Sequence, residues 1–218
     1  MMIDPETYYE MYLKGKSPEQ LLTEIRSLRR EIARLRRELE DPSFEESGLM
    51  PGSRTVLETD REYLERTVRA YEEAGGVYVP TAAEKRSRRI DEALDQLESA
   101  TFFKGHYFGG YTTRRCTIKG DEAVFETARP WTQSQFEPEE ERWTEDGRWT
   151  KDEFIDSLRR LHLGEWKCSY IDSTILDGEE WEFTLKFKSG RRQLNISGIN
   201  AYPYNFDRLC DLFGMEED

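Results

Sequence analysis

The sequence predicts an α+β protein, with a charged helical region over residues 1–100 and an aromatic-cored antiparallel-sheet domain with two helices over 101–218. Three observations predict it. Residues 1–100 hold 7 of the 27 aromatics and no tryptophan, whereas 101–218 hold the other 20 and all five tryptophans. The apolar period changes along the chain, from a heptad step between Leu21 and Leu39 to strict alternation between Trp181 and Lys188. The alternating segments are joined by short turns, which favours hairpins and an antiparallel sheet with helices interspersed.

The first strong helix begins at Ser17-Pro18-Glu19-Gln20. Ser17 is suited to cap, Pro18 to the first helical position, and Gln20 to reach back to the cap. From there Leu21, Ile25, Leu28, Ile32, Leu35 and Leu39 recur in steps of 4, 3, 4, 3 and 4, a coiled-coil seam with isoleucine at a and leucine at d. Glu24, Glu31 and Glu38 fall at g, with Arg29 and Arg36 at e, a pattern that attracts in a parallel pair and repels in an antiparallel one. Those six residues are therefore the expected dimerisation edge of a homodimer, although a seam under three heptads could also be covered by helices of the same chain.

Residues 41–56 read as a loop or hinge, from Asp41-Pro42 to Pro51-Gly52. A second helix is expected from a Thr59 cap to about Glu73, with Leu64, Val68 and Tyr71 on its inner face and Gly75-Gly76 as its stop. A third opens on a capping box at Thr81-Ala82-Ala83-Glu84 and turns Ile90, Leu94 and Leu97 inward.

In the C-terminal half, Phe102 to Thr113 reads as a glycine-bearing strand pair, and Cys116 to Thr127 as a hairpin around Lys119-Gly120-Asp121. Thr150 with Glu153 caps a helix to about Leu161, and Trp166, Cys168 and Tyr170 suggest a strand. Trp181-Glu182-Phe183-Thr184-Leu185-Lys186-Phe187-Lys188 alternates cleanly, Ser189-Gly190 turns, and Leu194-Asn195-Ile196-Ser197 returns. Asn205 starts a terminal helix carrying Phe206, Leu209, Leu212 and Phe213.

The pattern Trp181-x-Phe183-x-Leu185-x-Phe187, followed by Gly198-Ile199-Asn200-Ala201-Tyr202-Pro203-Tyr204-Asn205-Phe206, resembles the end of a domain found in uncharacterised proteins of Gram-positive bacteria and their mobile elements. The resemblance spans about Leu161 to Phe213 and implies a fold without implying a reaction. Gly198 and Pro203 would shape the turn, and Tyr202 and Phe206 would lock the terminal helix onto the sheet.

Composition narrows the function classes. With 45 acidic and 32 basic residues the formal net charge is −13, which disfavours a general nucleic-acid binder. No apolar run approaches the roughly 20 residues that span a bilayer, and the N-terminus carries no apolar signal-peptide core. Cys116, Cys168 and Cys210 are an odd, widely spaced set, so a cytoplasmic protein with reduced thiols is expected. Gly-x-Gly-x-x-Gly, P-loop, Gly-x-Ser-x-Gly and His-Glu-x-x-His patterns are missing from the sequence. His106 and His162 stand far apart, without metal-ligand spacing. Glu165-Trp166-Lys167 has the form of a nuclease metal-site fragment, yet 31 Glu and 9 Lys in 218 positions produce about one such triple by chance. No catalytic, metal or cofactor residues are assigned, and a metal-dependent hydrolase ranks last.

The stretch from Asp121 to Asp156 holds 12 acidic and 4 basic residues. Glu137, Glu139, Glu140, Glu141, Trp143, Glu145 and Asp146 are the expected contacts to a basic protein partner, because carboxylates with aromatic anchors complement a cationic surface. The expected function is thus a non-enzymatic interaction protein, one version being a mobile-element inhibitor that fills the basic groove of a defence nuclease, as an anti-CRISPR protein does. The alternative is nucleic-acid binding through Arg29, Arg30, Arg34 and Arg37 on the first helix.

Overall fold

A computed structural model describes residues 2–44, 51–106, 110–128, 143–175, 178–188 and 190–215. The chain is an α+β protein with two compact units, Met1–Pro80 and Thr81–Asp218. The division falls ahead of position 100 because the helix after Thr81 packs beside elements of the second unit.

The first unit is helical. Asp4 caps a short helix, α1 (Pro5–Tyr8), which continues as a π-helical turn over Tyr9–Leu13. Helix α2 (Pro18–Leu39) begins in the capping box expected at Ser17 and Gln20. Helix α3 (Ser53–Glu73) begins earlier than the Thr59 expectation, after Gly52. The Thr59 hydroxyl instead donates to the Thr55 carbonyl at 2.9 Å, a partner that a threonine finds only inside a helix.

Helices α2 and α3 form an antiparallel hairpin. Leu21 clusters with Ala70, whereas Glu31, further along α2, lies near Asp60, further back on α3. The heptad ridge is covered by this pairing: Leu21, Ile25, Leu28, Ile32 and Leu35 are all buried within the single chain, with Ile25 at 0% exposure. The flanking charges also find partners in the same chain. Glu24 accepts from the Tyr8 hydroxyl and Lys16, Glu31 pairs with Arg34, and Arg29 donates to the Tyr78 hydroxyl at 2.6 Å. Five of the six residues read from the sequence as a dimerisation edge, Leu21, Ile25, Leu28, Ile32 and Leu35, are thus packed within the chain, and the sixth, Leu39, is half-buried. On α3 the buried face runs through Leu57, Arg66, Thr67 and Ala70, offset from the expected Leu64, Val68 and Tyr71.

The second unit opens with α4 (Ala82–Leu94), held by the expected Thr81–Glu84 capping box. Leu97 does not extend that helix; it opens β1 (Leu97–His106). Then follow β2 (Gly110–Lys119), β3 (Glu122–Ala128), β4 (Trp143–Thr150), α5 (Lys151–Arg160), a 3-10 turn (Leu163–Glu165), β5 (Ser169–Ile171), β6 (Glu179–Phe187), β7 (Leu194–Ile199) and α6 (Phe206–Leu212). The strands form one sheet ordered β4-β3-β2-β1-β6-β7-β5. Every pairing is antiparallel except that of β5 with β7. Trp166 does not belong to a strand with Cys168 and Tyr170. It ends the 3-10 turn, fully buried, while Cys168 is exposed.

One face of the sheet carries the core. Phe102, Phe125 and Phe183 meet Phe213 at the end of α6 with ring centroids 5.6–5.9 Å apart, and Phe154 of α5 sets its edge to Phe125. Such edge-to-face contacts add to the burial of each ring. With helices on that side, the opposite face of the antiparallel sheet is left to solvent.

The motif after β6 serves this packing. A Cβ on Gly198 would lie 2.2 Å from the Trp181 indole nitrogen, so only glycine admits that ring. Trp181 donates to the Ala201 carbonyl at 3.0 Å. Asn200 takes a left-handed conformation at φ 53° and donates to the Ile175 carbonyl. Tyr202 lies 4.7 Å from Phe206, ring to ring.

Candidate interaction surface

Part of the expected acidic surface falls on Glu137, Glu139, Glu140 and Glu141, which lie outside the described residues. Trp143, Glu145 and Asp146 lie on β4, and each is engaged by an arginine. The Arg115 guanidinium sits 4.0 Å from the Trp143 ring centroid and donates to Glu126 at 3.0 Å. Arg148 bonds Glu145 and also Glu122 at 2.9 Å. Arg114 donates to Asp146 at 2.7 Å and, through its other Nη, to the Phe213 carbonyl. Burial alone would raise the Asp146 carboxyl, but hydrogen bonds from Thr127 and Arg114 hold it below the ordinary aspartate value. These three residues join strands to one another and to the end of α6, and their charge is locally balanced.

The arginine set separates as well. Arg30, Arg34 and Arg37 line one groove on α2, about 650 Å³ in volume, with Ser27 and with Asp60 from α3. Arg29 points elsewhere, to Tyr78. Within the groove Arg34 is held between Glu31 and Glu38, and Arg30 and Arg37 each donate Nε to a carbonyl of their own helix. Asp60 adds a carboxyl raised to about 6, first by burial and then by the Glu31 charge, with Arg34 opposing. Acid and base alternate here too closely to present a phosphate track.

Glu165 and Lys167 do not share a strand. Glu165 accepts from the Tyr204 hydroxyl at 3.1 Å, and Lys167 lies over the Tyr170 ring. Among the described residues no three His, Cys, Asp or Glu side chains converge in a way that could hold a metal ion. One further polar cluster lies on the core side of the sheet, where Lys104, 9% exposed, pairs with Glu179 at 3.3 Å and sits 3.9 Å from the Cys210 sulfur.

The solvent face of the sheet resolves into rows through the strand registers. Tyr111, Gly105, Glu180, Ile199 and Ile171 form one row across β2, β1, β6, β7 and β5. Thr113, Phe103, Glu182, Ser197 and Ser169 form the next. Five strands span about 19 Å. The Tyr111 and Phe103 rings stack diagonally, with centroids 5.0 Å apart and planes 12° from parallel. Tyr111 is 40% exposed, Ile199 42% and Ile171 66%. Glu180 and Glu182 are exposed and carry no ion pair among the described residues. Rings, isoleucines and two carboxylates thus share one open surface.

Sequence reading missed this surface, although the alternation from Trp181 to Lys188 already placed Glu182 outward. Phe102 and Phe103 are adjacent, so β1 is aromatic on both faces, and only the register shows which ring stays outside. Finally, no protein-family model, no curated protein and no solved structure matches the chain.

Proposed function

We propose that this chain is a non-enzymatic interaction protein that binds a basic protein through the solvent face of its sheet. The observation that carries the reading is the stack of half-buried Phe103 with exposed Tyr111, beside Glu180 and Glu182 on a face that α5 and α6 leave uncovered. Interface anchors are commonly aromatic, and carboxylates around them select a cationic partner and hasten its approach. The formal net charge of −13 acts in the same direction at long range. A nucleic-acid-handling effector, whose working groove is basic, fits this chemistry. The acidic, aromatic character read from the sequence is retained in the proposal, here on the β1–β2–β6–β7 face, while Glu137, Glu139, Glu140 and Glu141 lie outside the described residues.

Titration of the full chain against a panel of basic nucleic-acid-binding effectors, with nuclease inhibition as a second readout, tests the reading. A salt-sensitive complex weakened about tenfold or more by Glu180→Gln with Glu182→Gln is expected. A complex indifferent to both substitutions, or no complex with any member of the panel, overturns it.

A further inference from the structure

Where β1 and β6 meet α6 the inward positions are aromatic, with Phe102, Trp181 and Phe183 all fully buried. Lys104 breaks that pattern. It lies two residues beyond Phe102, so it faces the same side, and it stands opposite Trp181 in the register. Only 9% of it is exposed. Burying an ammonium is costly unless an opposite charge compensates, and Glu179 supplies that charge at 3.3 Å. The other oxygen of the same carboxylate, Oε1, is buried and accepts no hydrogen bond among the described residues. A primary amine is thus held among rings, with a carboxylate oxygen still open to a proton beside it.

Helix α6 brings a sulfur to this amine. Phe206 and Cys210 are four residues apart, so they share one helix face, and both are buried. The Lys104 Nζ lies 5.9 Å from the Phe206 ring centroid and 3.9 Å from the Cys210 sulfur. Reacting atoms in a near-attack contact sit about 3–3.5 Å apart, a difference that small rotations of the four-carbon lysine stem close. Cys116 is placed differently. Burial pushes its thiol up to about 12, and the cation acting on it is Arg114, whose guanidinium stays protonated and does not attack sulfur.

We propose that Lys104 and Cys210 form a peroxide-responsive modification site, in which hydrogen peroxide converts Cys210 to a sulfenic acid and the Lys104 amine captures that sulfur as a sulfenamide linking β1 to α6. Sulfenic acids condense with a nitrogen held beside them in this way. In the first step the thiolate, the reactive form of cysteine, attacks a peroxide oxygen. The S–O bond forms, the O–O bond breaks, and the departing hydroxide leaves as water with the proton the thiol released. Sulfur gives up two electrons and the peroxide accepts them. In the second step Glu179 takes one proton from the Lys104 ammonium, and the amine lone pair attacks sulfur. The S–N bond forms, the S–O bond breaks, and hydroxide departs as water with a second proton from the nitrogen. A thiol, an ammonium and one hydrogen peroxide become a sulfenamide, two waters and the proton on Glu179. The cluster meets solvent at Glu179, whose side chain is 22% exposed, and peroxide enters from that side. An added dithiol reverses the link, returning thiol and amine while it becomes a disulfide.

Treatment of the full chain with hydrogen peroxide, capture of the remaining thiols with N-ethylmaleimide and peptide mapping by mass spectrometry test the site. The expected product is a Lys104 peptide joined to a Cys210 peptide, about 2 Da lighter than the two together, located by fragmentation and released by dithiothreitol. Lys104→Arg, which keeps the charge, and Cys210→Ser are each expected to abolish it, and Glu179→Gln to slow its formation about tenfold or more. Near-UV circular dichroism checks the variants, and the wild-type map decides the question by itself if one of them fails to fold. Cys168, which is exposed, reports that the oxidant was active. Oxidation at Cys168 with Cys210 recovered as its maleimide adduct overturns the site. Cys210 carried on to its sulfinic acid, or a 2 Da loss that maps to a disulfide, overturns it equally. A linked product about 14 Da heavier than the two peptides retains an oxygen between nitrogen and sulfur and overturns the sulfenamide.

Discussion

Asn205 illustrates how a single residue can be recognised in sequence for one task and perform another. Its position at the start of α6 reads as a cap, yet its side chain makes no capping bond. Its Oδ1 accepts from the Trp166 indole at 3.0 Å and its Nδ2 donates to the Leu161 carbonyl at 3.0 Å, all in a site only 3% exposed. A local pattern reports the backbone position, but partners 39 and 44 residues away are fixed by tertiary packing. Asn205→Ala orphans a buried indole N–H and a buried carbonyl together, so a loss of about 2–4 kcal/mol is expected. Chemical denaturation followed by tryptophan fluorescence measures it. Asp60 offers a test of opposite sign. Its folded carboxyl, at about 6, lies above the ordinary value of 3.8, so the protonated form favours the fold. That contribution is fully present below about pH 4 and is lost as pH rises through 6. Asp60→Asn is therefore expected to stabilise the hairpin at pH 8 by about 1 kcal/mol, discounted for a half-exposed group, and to change little at pH 4. Equal effects at the two pH values would contradict the cause assigned to the shift.

At the scale of elements, the capping boxes at Ser17, Thr81 and Thr150 were fully legible and form as read, because each needs only residues three apart. The strand pair β6–β7 was legible for a similar reason: alternation over Trp181–Phe187 states which side is buried. Strand β4 was not. Its residues are exposed or half-buried along its whole length, and an edge strand with few inward apolar residues carries no period to detect. The heptad between 21 and 39 was legible as a ridge, but a ridge does not name what covers it. Parallel self-pairing and an antiparallel hairpin bury the same leucines and isoleucines, and the connection of 13 residues between α2 and α3 (positions 40–52) is short enough to bring the second helix back first. Ile25→Ala separates the two arrangements. It is expected to cost about 2–4 kcal/mol as a cavity at a fully buried site, with a thermal midpoint independent of protein concentration. A midpoint that rises with concentration would mark an interchain seam instead.

For the molecule as a whole, the change in aromatic content near residue 100 marked that the chain is divided, but not where. The boundary at Pro80 and Thr81 follows from α4, a charged helix whose composition resembles the first unit and whose contacts belong to the second. Composition reports the solvent-facing side of such a helix, and only its few inward residues, Ala93 and Leu94, record its allegiance. Each unit buries its own core, which makes a single cooperative transition unnecessary. The first unit closes a small core of one hairpin and its N-terminal segment, whereas the second packs clustered aromatic rings under a seven-stranded sheet. The smaller core is expected to give way first, since a shorter chain buries a smaller share of its surface. All five tryptophans lie in the second unit, so fluorescence follows that unit alone, while far-UV circular dichroism follows the helices of both. In a urea titration the dichroism signal is expected to begin its loss at lower denaturant than the fluorescence signal, with the steeper dependence belonging to the larger unit. Coincident curves would show that the two cores unfold as one, and the tryptophan-free hairpin would then draw its stability from the sheet unit rather than from its own seam.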